Sequence, residues 1–277
     1  MGTIKLGQGR LQTMDNNRLN FVYKLNHIVN ENEIGTVEYE LAKFFLDNFK
    51  NVTRWNIYQI AEENHVSRAS IRRFAKQLGY ENFLDMKKNA ETFDDGINEF
   101  QLFYGYENFL EKLQANIIAL MEEFSVRFNT QEVDRLIRVI NNNQEVMILC
   151  SSNITGSVKT FQQRMVIFGK RITLLTSKED LLTAMETKKN PLIIVFSISG
   201  LFVSSILTEL KNIEAQMILF TNNRNPIYNQ IFDKIYHLSS QNHEKEINEL
   251  LYYTYGIDFV LDLILNGYLL KYKKEGH

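Results

Sequence analysis

NIYQIAEENHVSRASIRRFAKQL, residues Asn56 to Leu78, is the stretch whose reading decides the fold of the N-terminal half. Ile57, Ile60 and Ala61 share one face of a short helical segment, which Asn64 and His65 interrupt. Val66 follows as an apolar plug. Ile71, Phe74, Ala75 and Leu78 then recur at i, i+3, i+4 and i+7, the stripe of a 3.6-residue helix. Ser67 stands just before that stripe, placed to cap it. Two short helices joined by a tight turn form a helix-turn-helix, whose second helix enters the major groove of DNA. The turn lacks glycine, but Asn and His tolerate the left-handed backbone better than most residues.

The face left outside the stripe carries the chemistry. Ser67, Arg68, Ala69, Ser70, Arg72, Arg73 and Lys76 form the expected DNA-binding surface, with four cations and no carboxylate between Ser67 and Leu78. Arg68 and Arg72 are expected to read bases, and Arg73 and Lys76 to contact phosphates. An ordinary solvated helix face is the competing reading. It is disfavoured by small Ala61 at the helix crossing and by cations that avoid the packing stripe.

Working outward, Phe21, Leu25 and Ile28 form one helical stripe, and Leu41, Phe44, Phe45 and Phe49 another. Gly35 followed by Glu38 reads as half of a capping arrangement for the second. Beyond Leu78, Gly79 is placed to end the recognition helix, and Phe83 and Met86 begin another. Asp94 to Tyr106 is acidic and aperiodic, so the expected division is a tail over 1–17, an all-α DNA-binding domain over 18–93, a linker over 94–107 and a second domain over 108–277. That second domain opens with amphipathic helices over Asn108–Phe128 and Gln131–Ile140. Strand-like runs follow: EVMILC from Glu145, RITLLT from Arg171, PLIIVFS from Pro191, AQMILF from Ala215 and DKIYHL from Asp233. Near-continuous apolar strands alternating with helical stretches predict an α/β domain with a five-stranded, doubly wound parallel sheet. A long helix over Glu244–Lys273 closes the chain.

Composition sets limits. The chain has 277 residues, a net charge of −2, 44% hydrophobic residues and one cysteine, Cys150. That length accommodates two domains. One cysteine allows no internal disulfide and fits a reducing, cytoplasmic setting. The best apolar run, Ile257 to Leu270, is short and carries Asp258 and Asp262. The N-terminus has no signal-peptide core, and Leu6 stands where a myristoylation signal needs Ser or Thr. His27, His65, His237, His243 and His277 are scattered without metal-ligand spacing. His237 ends a strand and reads as structural, and His243–Glu244 as a surface cap.

In an open parallel sheet, ligands bind beyond the carboxyl ends of the strands. The two loops concerned are CSSNITGS (Cys150–Ser157) and SISGLF (Ser197–Phe202), both rich in hydroxyls and both leading into a helix. Hydroxyls and backbone N–H groups at a helix start can cradle a phosphate. Tight βα turns with ordinary caps are the alternative. Neither loop supplies a Glu, Asp, His or Lys for proton transfer, and Lys159 and Arg164 could only neutralise charge. No catalytic residue, metal or cofactor is called for.

VSRASIRRFAKQLGYENFLDMK, followed by this α/β domain, resembles the RpiR (MurR/RpiR) family of bacterial transcriptional regulators. Val66-Ser67, Ile71, Arg73-Phe74, Leu78-Gly79 and Phe83 carry the match. The C-terminal half is similar to the sugar isomerase (SIS) domain, which in that family binds phosphosugar effectors. Its Ser-x-Ser-Gly-x-Thr loop is met by Ser197, Ser199 and Gly200, with Phe202 in place of the threonine. Cys150 and Ser152 replace the glycines usual in the first loop. The resemblance implies a ligand site of Ser151, Ser152, Asn153, Thr155, Ser197, Ser199 and Gly200. It implies a regulator of carbohydrate-metabolism genes that binds operator DNA as a homodimer or larger homo-oligomer and senses a phosphosugar-like effector. A phosphosugar isomerase, or a DNA-binding protein whose second domain only dimerises, are the alternatives. The apolar excess of the Asn108–Phe128 and Glu244–Lys273 helices marks them as the expected subunit interface.

Overall fold

Helix α3 (Ile57–Glu63) and helix α4 (Arg68–Gln77) occupy the decisive stretch. Asn56 starts α3 with a full capping box: its side chain accepts from the N–H groups of Tyr58 and Gln59, and Gln59 accepts from the Asn56 N–H. Of the two turn residues, His65 takes the left-handed conformation at φ 50°, while Asn64 stays at φ −96°. Ser67 caps α4 by accepting from the Ser70 N–H at 3.1 Å. The far end closes as a Schellman motif. Gly79 at φ 79° donates to Lys76 O and Tyr80 donates to Ala75 O, so two carbonyls that the helix leaves open are satisfied.

The computed structural model describes residues 21–91, 108–151, 154–188, 190–239 and 251–272. The expected tail over 1–17, linker over 94–107 and start of the last helix at Glu244 lie outside them, as do Ser152, Asn153 and His243. Two compact units divide between Phe109 and Leu110.

In the first unit, helix α1 (residues 21–31), helix α2 (Val37–Asp47), a 3₁₀ segment (Phe49–Arg54) and helix α5 (Phe83–Glu91) surround α3 and α4. Phe21, Leu25, Leu41, Phe45, Ile60, Ile71, Phe74 and Met86 are buried in one core. The rings of Phe45 and Phe74 stack at 5.7 Å, tying α2 to the recognition helix and adding about 0.5–1.5 kcal/mol beyond area burial. Val66 is half-buried against this core. One capping expectation is corrected: Thr36, not Gly35, is the N-cap of α2, accepting from the Tyr39 N–H at 3.3 Å. Gly35 supplies the positive φ (91°) one residue earlier.

The second unit begins with helices α6 (Phe109–Arg127, within the unit from Leu110) and α7 (Thr130–Asn142). Strands β1 (Val146–Cys150), β2 (Ile172–Leu175), β3 (Leu192–Phe196), β4 (Gln216–Thr221) and β5 (Lys234–His237) follow, all parallel, in the spatial order 2-1-3-4-5. Side chains alternate between the two faces. Val146, Ile148 and Cys150 face a core built with α6, α7, helix α8 (Thr155–Ile167) and the C-terminal helix α12 (Ile257–Tyr272). Met147 and Leu149 face a second core, covered by helices α9 (Lys178–Met185), α10 (Leu201–Ser205) and α11 (Leu207–Leu210). On the first face Phe196, Phe220 and Tyr236 stack across adjacent strands at 4.7 and 4.9 Å.

The expectation of a helix after every strand is corrected after β4, where only a 3₁₀ turn, Pro226–Gln230, makes the crossing. Pro226 sits at its start and Asn225 caps it, a combination that favours a tight turn. Ahead of α12 the backbone widens into a π-turn, Tyr252–Gly256. No helix among the described residues is long and apolar enough to cross a membrane.

Candidate functional site

The recognition helix presents Arg68, Ala69, Arg72, Arg73 and Lys76 to solvent, and α4 contains no acidic residue. Packing produces this arrangement, because Ile71, Phe74 and Ala75 must face the core and the 3.6-residue period sends the cations outward. Their surroundings differ. Arg68, first in the helix, lies over the ring of Tyr58 at 4.7 Å. Arg73 reaches back to the Ser70 hydroxyl at 3.5 Å, and that hydroxyl lies 3.0 Å from the Ser67 hydroxyl. Arg72 and Lys76 line a groove of about 620 Å³ with Ile57, Glu81, Asp85 and Lys88. Tyr58 and the α5 side of that groove were not read from the sequence.

The other candidate lies at the carboxyl edge of the sheet. Connections leave β1 towards β2 on one side and β3 towards β4 on the other, so the strand order switches between β1 and β3. The crevice at such a switch point is where open α/β sheets take ligands. Ser151 leaves β1 half-buried. Thr155 opens α8 with 3% of its surface exposed, and its hydroxyl lies beside the Cys150 thiol, whose pKa it lowers. Cys150 itself faces the core, and burial pushes its thiol up to about 12.

The loop after β3 is tightly built. The Ser197 hydroxyl is buried and accepts from the Val203 N–H at 3.0 Å, so it caps the following turn. Ser199 Oγ accepts from the Leu201 N–H and from the Tyr253 hydroxyl, each at 3.4 Å. Gly200 has φ 80°, and a Cβ there would lie 2.6 Å from Asn223 Cβ. Asn223 Nδ2 donates to Ser199 O at 3.1 Å, and Tyr228 Oη donates to Gly200 O at 3.3 Å. Phe202 packs half-buried against the second core. Tyr253, brought in by the π-turn, was not anticipated, because a single widened turn leaves no periodic trace in the sequence.

Arg164, Arg127 and Arg224 of this unit are engaged. Arg164 pairs with Asp262 at 3.2 Å. Arg127 donates to His237 O at 2.6 Å, and Arg224 donates to Ser239 O at 2.8 Å. The His237 Nδ1 atom is buried without a partner among the described residues; burial, then Arg224 and Arg127, holds its pKa below the ordinary value.

Residues 24–92 match the helix-turn-helix domain of the rpiR family, and the match spans α3, α4 and the charged face described above. This stretch is an rpiR-family helix-turn-helix domain. A curated relative of this chain is an uncharacterized HTH-type transcriptional regulator in the aarA 3′ region of Providencia stuartii. It is 39% identical over 64 residues, 23% of this chain. The chain spans 22% of that relative's length. Two solved structures extend beyond the rpiR-family domain. The Vibrio vulnificus NanR protein complexed with ManNAc-6P is 12% identical, covering 91% of this chain and 92% of that one, at a TM-score of 0.46. The sugar isomerase domain of an RpiR transcription factor from Sphaerobacter thermophilus is 12% identical, covering 61% and 93%, at 0.48.

Proposed function

We propose that this protein is a DNA-binding transcriptional regulator of carbohydrate-metabolism genes, acting as a homodimer whose second domain senses a phosphosugar-like anion. The rpiR-family domain with its carboxylate-free cationic face carries the first part. Exposed guanidinium and ammonium groups at the start and middle of a recognition helix suit base edges and phosphates. The start of a thirteen-residue helix, with the buried Thr155 as its first residue, supports an anion site at the switch point. Ser151 and Ser199 belong to the two hydroxyl-rich loops that follow β1 and β3. Dimerisation supplies the paired half-sites that one small DNA-binding domain needs. Exposed Leu110, Ile118 and Val126 on α6 offer apolar surface for it.

The reading is non-enzymatic, since neither loop carries a side chain suited to proton transfer near neutral pH. One observation favours a second reading, in which the α/β domain only dimerises: Ser197 spends its hydroxyl on Val203. Calorimetry of the full chain against a panel of phosphosugars separates the two, with Ser199→Asp as control. Binding that Ser199→Asp abolishes, with DNA binding intact, supports sensing. No heat with any member of the panel supports the scaffold.

A further inference from the structure

Arg68 occupies an electrostatically awkward position. It is the first residue of α4, where the helix dipole is positive and favours carboxylates, and no acidic residue is present in that first turn. Its charge meets the face of Tyr58, 4.7 Å from guanidinium carbon to ring centroid, well within cation–π range. Tyr58 is itself 64% exposed and contributes little to the core. It is held from the other end, because its backbone N–H donates to the Asn56 side chain in the capping box. A large aromatic residue is therefore kept at the surface by a rigid helix start, with a cation laid upon it.

Stacking has a specific chemical consequence. A guanidinium on a ring face is fixed in plane, while the N–H donors around its edge stay available. That geometry suits bidentate donation to O6 and N7 of guanine, the commonest specific contact in the major groove. A carboxylate partner would consume the same donors. The other cations are placed differently: Arg73 leans on Ser70, and Arg72 and Lys76 share a groove with Glu81 and Asp85. In a helix-turn-helix the first helix crosses the backbone while the start of the second reaches the base edges, which is where Tyr58 and Arg68 respectively lie.

We propose that Tyr58 is a specificity-positioning residue: its ring orients Arg68 to read one guanine in each half-site. This rests on the DNA-binding reading above and adds which base is read and what aims the reader.

The test uses the full-length protein and a random-sequence duplex library. The enriched duplex is then titrated by electrophoresis, with each position replaced in turn. Arg68→Ala should lose about 5- to 150-fold of the guanine preference at one position per half-site. Tyr58→Ala should lose about two- to fivefold at that same position only, while Tyr58→Phe, which keeps the ring, should match the wild type. Tyr58→Ala added to Arg68→Ala should change nothing further. Thermal unfolding of the Tyr58 variants should match the wild type, as expected for an exposed side chain.

The inference is overturned if Tyr58→Ala leaves the preference unchanged or if its effect adds fully to that of Arg68→Ala. It is overturned equally if Tyr58→Phe weakens all sequences alike, which would make the hydroxyl a phosphate contact. Failure of the wild-type chain to enrich any duplex would overturn the regulator reading along with it.

Discussion

The ammonium of Lys24 donates to the carbonyl of Leu78 at 2.5 Å and lies 4.6 Å from the centre of the Tyr80 ring. It places a positive charge at the carboxyl end of the recognition helix, where the dipole is negative. Together with the Gly79 turn, it fixes the end of α4 to α1, across 54 residues of chain. Lys24→Met keeps the aliphatic stem and removes the charge. It should lower the stability of the N-terminal unit by about 1–2 kcal/mol, read by urea denaturation followed through the single tryptophan, Trp55. An unchanged midpoint would show that water replaces the ammonium without loss.

His65 holds φ 50° while exposed between α3 and α4. Glycine adopts that conformation without a Cβ penalty. His65→Gly should therefore stabilise the helix-turn-helix by up to about 1 kcal/mol, visible as a raised melting temperature. A fall would mean that the imidazole makes a stabilising contact that outweighs its backbone strain.

Gly200→Ala should act in the opposite direction. The left-handed backbone costs an alanine about 1–2 kcal/mol, and its Cβ would press into Asn223, which holds the loop through Ser199 O. Loss of stability and of any phosphosugar binding, with DNA affinity retained, is the expected result by calorimetry and electrophoretic titration. Retained ligand binding would remove this loop from the sensing site.

His237 gives the α/β unit a pH dependence. Burial and the neighbouring Arg224 and Arg127 lower its pKa in the folded chain, so the unfolded chain takes up the proton more readily. Stability is complete above the ordinary histidine value of 6.5 and falls as the pH drops through it towards the lower folded value. His237→Gln should flatten that slope in urea denaturation series between pH 7.5 and 5. An identical slope in the variant would assign the pH dependence to other groups.

Much of this architecture is legible in the residues themselves. The Ile71–Phe74–Ala75–Leu78 stripe and the five apolar runs each name an element, because burial imposes periods of 3.6 and 2. The same period of 2 places Cys150 with Val146 and Ile148 in the core rather than in the loop it borders. Local signals with near-equal competitors were harder to read. Thr36 and Gly35 both suit a helix start, and only the backbone geometry makes Thr36 the cap. The apolar richness of α12 suggested a subunit interface, yet Ile257, Val260, Leu261, Ile264 and Leu265 are buried within the unit, leaving Leu270 exposed. Partnerships between distant residues leave no local trace. Tyr253 on Ser199, Asn223 on Gly200 and Tyr58 beneath Arg68 are products of tertiary packing.

The most direct test of a ligand-responsive regulator is the affinity of the full-length protein for its selected duplex, measured by fluorescence anisotropy with and without each member of a phosphosugar panel. The selected duplex should bind at least about 10³-fold more tightly than random DNA, and one phosphosugar should shift that affinity by about 5- to 150-fold, with the shift absent in Ser199→Asp. Equal affinity for selected and random duplexes, or an affinity that no phosphosugar moves, would contradict it.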